Sequence, residues 1–341
     1  MKEETMNRRL IVLCFILSVV ACPLLTCHIE TAYGPTPYTV TVDSNAILLA
    51  QMQKEYIDMK FGMFIHFNMS TFDKCCCPTC VSVQGEWGTA HDNENLFHPN
   101  NLNCGQWADV AKSAGCKYMV LTSKHHDGFC LWNSQFTTHS VASSSWGGGK
   151  RDVIREFVDS ARTRGLKVGL YYSIWDKTNS VDLKFIKGQL SELLTNYGDI
   201  TIMWFDGWGW MVGYQIVPYD TIRNLIKSIQ PKCLVLDNNH YYAMKNTEIV
   251  EYEMPIDGAP KLGSTLPTEG GQPIRTDKTW FWHPLNECGL TPAQSIVDEL
   301  NTVNQRGANY LLDLTPDTNG VMPQCEVDIM KTIGQLRGVA Q

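Results

Sequence analysis

The chain has 341 residues, 44% of them hydrophobic, and a formal net charge of −7 with no basic block. That content fills the core of one large globular domain and excludes the basic footprint of a nucleic-acid-binding protein. Charged residues make up 18% of the chain and tryptophans number 10; most indoles serve a core, and a few suit flat apolar ligand faces.

Residues 1–27 read as a secretory signal. Arg8-Arg9 form the positive region, and Leu10 to Val20 an apolar stretch too short to favour a spanning helix. Val19-Val20-Ala21 before Cys22 offers small-residue cleavage chemistry. It also resembles a lipoprotein box, so membrane attachment is expected only through a lipid on Cys22. Thirteen cysteines fit an oxidising compartment, whether secreted, lysosomal or periplasmic. In Cys75-Cys76-Cys77-Pro78-Thr79-Cys80, three consecutive cysteines cannot all face one ion. Disulfides are expected there in preference to a metal.

A Gly/Pro-rich lead-in, 28–45, precedes the globular domain, 46–341. Ala46 to Met59 has helical spacing. Lys60 to Phe67 reads as a first buried strand ending in His66. The next forty or so residues form a long functional loop containing Gly85-Glu86-Trp87. Leu102 to Ala114 is helical and Cys116 to Thr122 a second strand, opening into Ser123-Lys124-His125-His126-Asp127-Gly128-Phe129. Asp152 to Arg164 is helix, Leu166 to Tyr172 strand three, Leu183 to Tyr197 helix. Ile200 to Phe205 is strand four, with Asp206-Gly207 where it stops. Asp220 to Gln230 is helix, Cys233 to Asp237 strand five, Glu248 to Tyr252 strand six, and Thr279 to Trp282 strand seven. Thr291 to Asn304 is helix, with Thr291 as cap, Pro292 first and Gln294 at the third position. Asn309 to Leu314 is strand eight, and Cys325 to Arg337 closes as helix.

Alternating strands and helices imply parallel pairing. About eight such units predict an α/β fold of the (β/α)₈ barrel type, a single domain. A doubly wound open sheet is the alternative, but no phosphate-binding glycine fingerprint follows the early strands. In a barrel the strand ends form the catalytic face. His66, His125-His126, Tyr171-Tyr172, Trp204, Asp206, Glu251 and Glu253 all fall there. Any one alone has a plain structural explanation: a satisfied core histidine, or a turn aspartate before glycine. Their shared position is the signal. No H-E-x-x-H pattern accompanies the histidine pair, so sugar-hydroxyl recognition is expected in place of a metal site.

These residues carry a resemblance. The stretch from Phe61 to Phe67, Glu86-Trp87, Ser123 to Trp132, Arg151-Asp152-Val153, Gly165 to Ser173, Trp204-Phe205-Asp206-Gly207 and Gly307 to Leu312 resemble the α-L-fucosidases of glycoside hydrolase family 29. The resemblance implies a barrel of retaining exo-glycosidases acting on terminal fucose of oligosaccharides or glycoproteins, without metal or other cofactor. Asp206 is similar to the family nucleophile. His66, Glu86, Trp87, His125, His126, Tyr171 and Trp204 resemble its fucose-binding positions, with Tyr171 and Tyr172 left as alternatives for one place. The acid/base is expected at Glu253, then Glu269, then Glu251. Retention needs two carboxyl groups about 5 Å apart, one attacking and one protonating, the latter with a raised pKa.

The resemblance has two departures. The C-terminal β-sandwich of many members is expected to be absent. The segment Ile274 to Pro284, including Trp282 as a binding residue, resembles members selective for α-1,3/1,4-linked fucose. Asn68-Met69-Ser70 is a glycosylation sequon beside His66, expected to be unmodified because a glycan would crowd the site. A non-catalytic fucose-binding protein on a decayed barrel, or a hydrolase of another sugar such as galactose, are the competing expectations.

Overall fold

The structure, a computed structural model, describes residues 24–29, 38–73, 83–90 and 92–340; the stretch through residue 23 and the 75–80 cysteine cluster lie outside them. The chain forms two compact units, 1–51 and 52–341. In the first, β1 (Leu24–Ile29) and β2 (Tyr38–Asp43) pair antiparallel. β1 begins inside the stretch read as signal, and β2 lies in the 28–45 lead-in, for which the sequence reading assigns no element. Tyr-Thr-Val-Thr-Val in β2 is an aromatic and β-branched run that alternates polar Thr with apolar Val, which is a strand pattern. The helix Ser44–Met59 begins in this unit and continues into the second.

The second unit is a closed parallel barrel of β3 (Phe61–Ile65), β4 (Tyr118–Lys124), β5 (Lys167–Ser173), β6 (Ile202–Asp206), β7 (Leu234–Asp237), β8 (Ile249–Glu253), β9 (Thr268–Pro273) and β10 (Ala308–Leu314), with β10 closing onto β3. Helices pack outside. The helix Val153–Thr163 starts where the Asp152 carboxylate accepts the Arg155 N–H at 2.9 Å, and it buries Val153, Ile154, Phe157, Val158 and Ala161 on one stripe. The helix expected from Thr291 begins instead at Ala293 after Pro292. Thr291 is held by its backbone, its N–H donating to the Ile274 carbonyl at 2.9 Å, and makes no capping box.

Strand seven is also corrected. It is Thr268–Pro273, Thr-Glu-Gly-Gly-Gln-Pro, whereas Thr279–Trp282 is loop. Adjacent glycines weaken a strand pattern, so the segment gives no strand signal. Here they make room: a Cβ on Gly271 would lie 2.7 Å from Glu251 Oε1, and one on Gly270 2.7 Å from Met254 Sδ.

One irregularity aims the site. The β4–β5 register runs from Thr122 opposite Tyr171 to Lys124 opposite Tyr172, so Ser123 is an inserted residue. Lys124 thereby turns outward to a buried ion pair with Asp176 (2.9 Å), over the Tyr172 ring at 4.3 Å. His125 and His126 follow past the strand end, and both line the same pocket.

Candidate active site

Strand alternation sends Trp204 and Asp206 of β6 into the barrel mouth, while Met203 and Phe205 join the core outside it. Gly207 has φ of 61°, and a Cβ there would lie 2.6 Å from Trp175 Cβ, so only glycine turns the chain at this point. The π-helical turn Trp208–Val212 follows. It brings Trp210 back over the carboxylate. Asp206 Oδ1 accepts the Gly207 N–H (2.6 Å) and the Trp210 indole N–H (2.9 Å). Oδ2 accepts the Tyr171 hydroxyl at 3.0 Å and lies 3.6 Å from His126 Nε2. Three donors thus fix the orientation of an otherwise rotatable group. Tyr172 points the other way, its hydroxyl donating to Gln189 at 2.7 Å, which resolves the choice between the two tyrosines.

Glu253 ends β8. Its Oε2 accepts from Asn238 Nδ2 at 3.1 Å, and its backbone N–H donates to Asp257 at 2.9 Å. Burial, and then the negative charge of Asp206, push its pKa up to about 7. A carboxyl so poised can give a proton and take it back near neutrality. The other two glutamates do not match this. Glu251 also lines the pocket, but its Oε1 accepts the Gly271 N–H at 2.9 Å. Glu269 is fully buried beneath the pocket, accepting from the Tyr56 and Tyr118 hydroxyls and from Trp204 Nε1 (3.0 Å). Glu269 sits early in β9, inside the barrel, and is not among the residues that line the cavity.

The cavity is about 150 Å³ and is lined by His66, Glu86, Trp87, His125, His126, Tyr171 and Trp204, all read from sequence. His66 Nδ1 meets Asp313 Oδ1 at 2.7 Å, and Glu86 Oε1 accepts the Phe281 N–H at 2.9 Å. Burial lowers the His126 pKa to about 4 against the pull of Asp206, so the ring is neutral at neutral pH. Ser173 donates its one hydroxyl hydrogen to the Trp175 carbonyl (2.6 Å) and therefore accepts from His126 Nδ1 (2.7 Å). Nε2 is left as the acceptor end of that ring.

Trp282 is not in the wall. It is buried with its indole N–H on Glu287 at 3.0 Å. Trp280 and Phe281 line the pocket in its place. Their loop is pinned by fully buried Arg275, bonded to Thr279 and to His283 at 3.0 Å each, and by the Cys288–Cys325 disulfide. Sequence reading also misses Trp210, Asn238 and His240. Asn238 and His240 follow the end of strand five, so the strand-end criterion applied elsewhere could have found them. His240 and Tyr241 have φ of 49° and 56°, left-handed backbone that non-glycine residues adopt at a cost.

Asn68 is fully buried, and its amide donates to the Thr122 carbonyl at 3.1 Å and the Phe129 carbonyl at 3.3 Å. Both hydrogens are used and no room exists for a glycan. Peptide mass spectrometry of protein made in a glycosylating host is expected to show Asn68 unmodified.

The sequence profile of the Alpha-L-fucosidase family matches residues 25–337. Alpha-L-fucosidase 1 of Arabidopsis thaliana is 32% identical over 307 residues, covering 81% of this chain and 57% of that one. Putative alpha-L-fucosidase 1 of Oryza sativa is 29% identical over 349 residues, covering 94% and 64%. Among solved structures, α-L-fucosidase isoenzyme 1 of Paenibacillus thiaminolyticus superposes with a TM-score of 0.71 at 28% identity, covering 85% of this chain and 76% of that one. The chain thus spans about three fifths of the length of the two plant relatives. With a closed barrel, a carboxylate held at the end of β6 and a profile match over nearly all its length, the chain belongs to the α-L-fucosidase family.

Proposed function

We propose that this chain is a retaining exo-α-L-fucosidase that releases terminal fucose from oligosaccharides or glycoproteins. The observation that carries the reading is the Asp206–Glu253 pair: one carboxylate held by three donors, and one carboxyl tuned toward 7 partly by the first one's charge. In the first step an Asp206 oxygen attacks the anomeric carbon. The bond to the leaving oxygen breaks, and Glu253 gives that oxygen its proton. A fucosyl ester on Asp206 results. In the second step Glu253 takes a proton from water, the water oxygen attacks the anomeric carbon, and the ester opens with the starting configuration restored.

The pocket's own groups supply recognition. His126 Nε2 accepts a sugar hydroxyl hydrogen. The aromatic faces around His66 and Trp280 suit the apolar methyl of a deoxyhexose. Selectivity for α-1,3/1,4 linkages rests on the likeness of the 274–284 segment, and export on the N-terminal stretch. Proton NMR during hydrolysis of an aryl α-L-fucoside tests the reading. α-Fucose is expected as the first-formed anomer, and β-fucose first would overturn the double displacement. A panel of linked fucosides and galactosides then reports linkage and sugar preference.

A further inference from the structure

Glu251 and Glu269 have no part in the two steps above, yet they are neighbours in register across β8 and β9 and both are buried. We infer that they form an acid–carboxylate unit sharing a single proton, which positions Trp204 at the pocket floor and keeps a second negative charge away from Glu253. This rests on the assignment of Asp206 and Glu253 above.

Opposite one another in register, the two side chains leave the same face of adjacent strands, so the two buried carboxyls lie close together. Like charges this close in a dry interior cannot both persist. The donor count says which one is charged. Glu269 accepts from Tyr56, Tyr118 and Trp204, three donors that favour its anion. Glu251 accepts from Gly271 on Oε1, and among the described residues no N–H or O–H reaches its Oε2. Burial and the charge of Glu269 hold the Glu251 carboxyl well above the usual range. Glu251 is therefore the acid and Glu269 the carboxylate.

The pair connects to the chemistry in two ways. Trp204, held by its N–H on Glu269, stacks against Tyr171 with ring centroids 5.4 Å apart, and Tyr171 donates to Asp206. Glu251 is also one strand period from Glu253, so its ionisation would place a like charge beside the acid/base. The titratable groups facing the pair are Glu253 on the same strand, Tyr118 from β4 and Tyr56 from the helix Ser44–Met59. Those facing Glu253 are Asp206 from β6, Tyr171 from β5, His240 after β7 and Asp257 after β8.

The test is kcat/KM against pH on a fucosyl disaccharide, whose leaving group must receive the Glu253 proton, for the parent, Glu251→Gln, Glu269→Gln and the double variant, with infrared spectra of each. In Glu251→Gln a neutral amide replaces a neutral acid. The basic limb is expected where the parent has it, and one protonated-carboxyl band is lost from the difference spectrum. In Glu269→Gln an amide donor replaces the anion, Glu251 ionises, and the basic limb moves up by about one pH unit. The double variant carries no charge there and moves the limb down. Loss of rate with the limb unmoved in Glu269→Gln would reduce the pair to a structural role and overturn the inference. So would a Glu251→Gln spectrum that keeps every protonated-carboxyl band. The infrared comparison needs no turnover, so it decides the pair even if Glu269→Gln does not fold. A parent without fucoside turnover would sink the proposed activity, not the shared proton.

Discussion

Asp206→Gly is expected to lower kcat on an aryl α-L-fucoside by about 10⁴-fold or more, with fucose binding retained. The loss is large because no neighbouring group can substitute. His126 Nε2 is the acceptor end of a neutral ring, and Tyr171 and Trp210 are donors aimed at the missing carboxylate. Removing the side chain leaves those donors around a small void that a small anion can enter. Added azide should then restore turnover and appear in the product as the fucosyl azide of inverted configuration. A 2-fluoro-fucoside inhibitor should label the parent on the peptide carrying Asp206. A label on another residue, or an Asp206→Gly variant with parental kcat, would remove Asp206 as nucleophile.

Glu253→Gln should give the second large effect, visible as a dependence on the leaving group. The parent needs Glu253 protonated when the glycosidic bond breaks. With its pKa near 7, the active form predominates below that pH and declines as pH rises through it. Parental kcat/KM should therefore fall about tenfold per pH unit above 7. In Glu253→Gln that limb disappears. A sugar leaving group, which must receive a proton, should react about 10²- to 10⁴-fold more slowly. A nitrophenolate, which leaves without one, should lose far less in the glycosylation step. Equal losses for both would assign Glu253 a positioning role, and retention of the basic limb would place the titrating group elsewhere.

Much of this site could be read along the chain because barrel strands expose polar side chains only where they end. His66, the His125-His126 pair, Tyr171 and Asp206 each close an apolar run, so position and chemistry coincide. Three features needed three dimensions. The side of β5 on which each tyrosine lies depends on register, which Ser123 shifts by one residue across the neighbouring strand. Thr268–Pro273 carries no strand signal because its glycines answer to Glu251 and Met254, residues on other elements. Trp280 and Phe281 face the pocket and Trp282 does not. That choice is made in a loop, where neither strand nor helix period applies. The carboxylates divided the same way: Glu251, Glu253 and Glu269 are alike as letters and differ in burial and donors.

The bond between Cys288 and Cys325 spans 37 positions and joins the loop behind Trp280 and Phe281 to the helix Gln324–Leu336. By the loop-closure relation such a crosslink contributes about 4 kcal/mol against the open chain. Protein produced in a reducing bacterial cytosol would forgo that contribution. Its aromatic wall would rest on Arg275 and its neighbours alone, so preparations from oxidising and reducing hosts should differ in thermal tolerance while sharing one sequence.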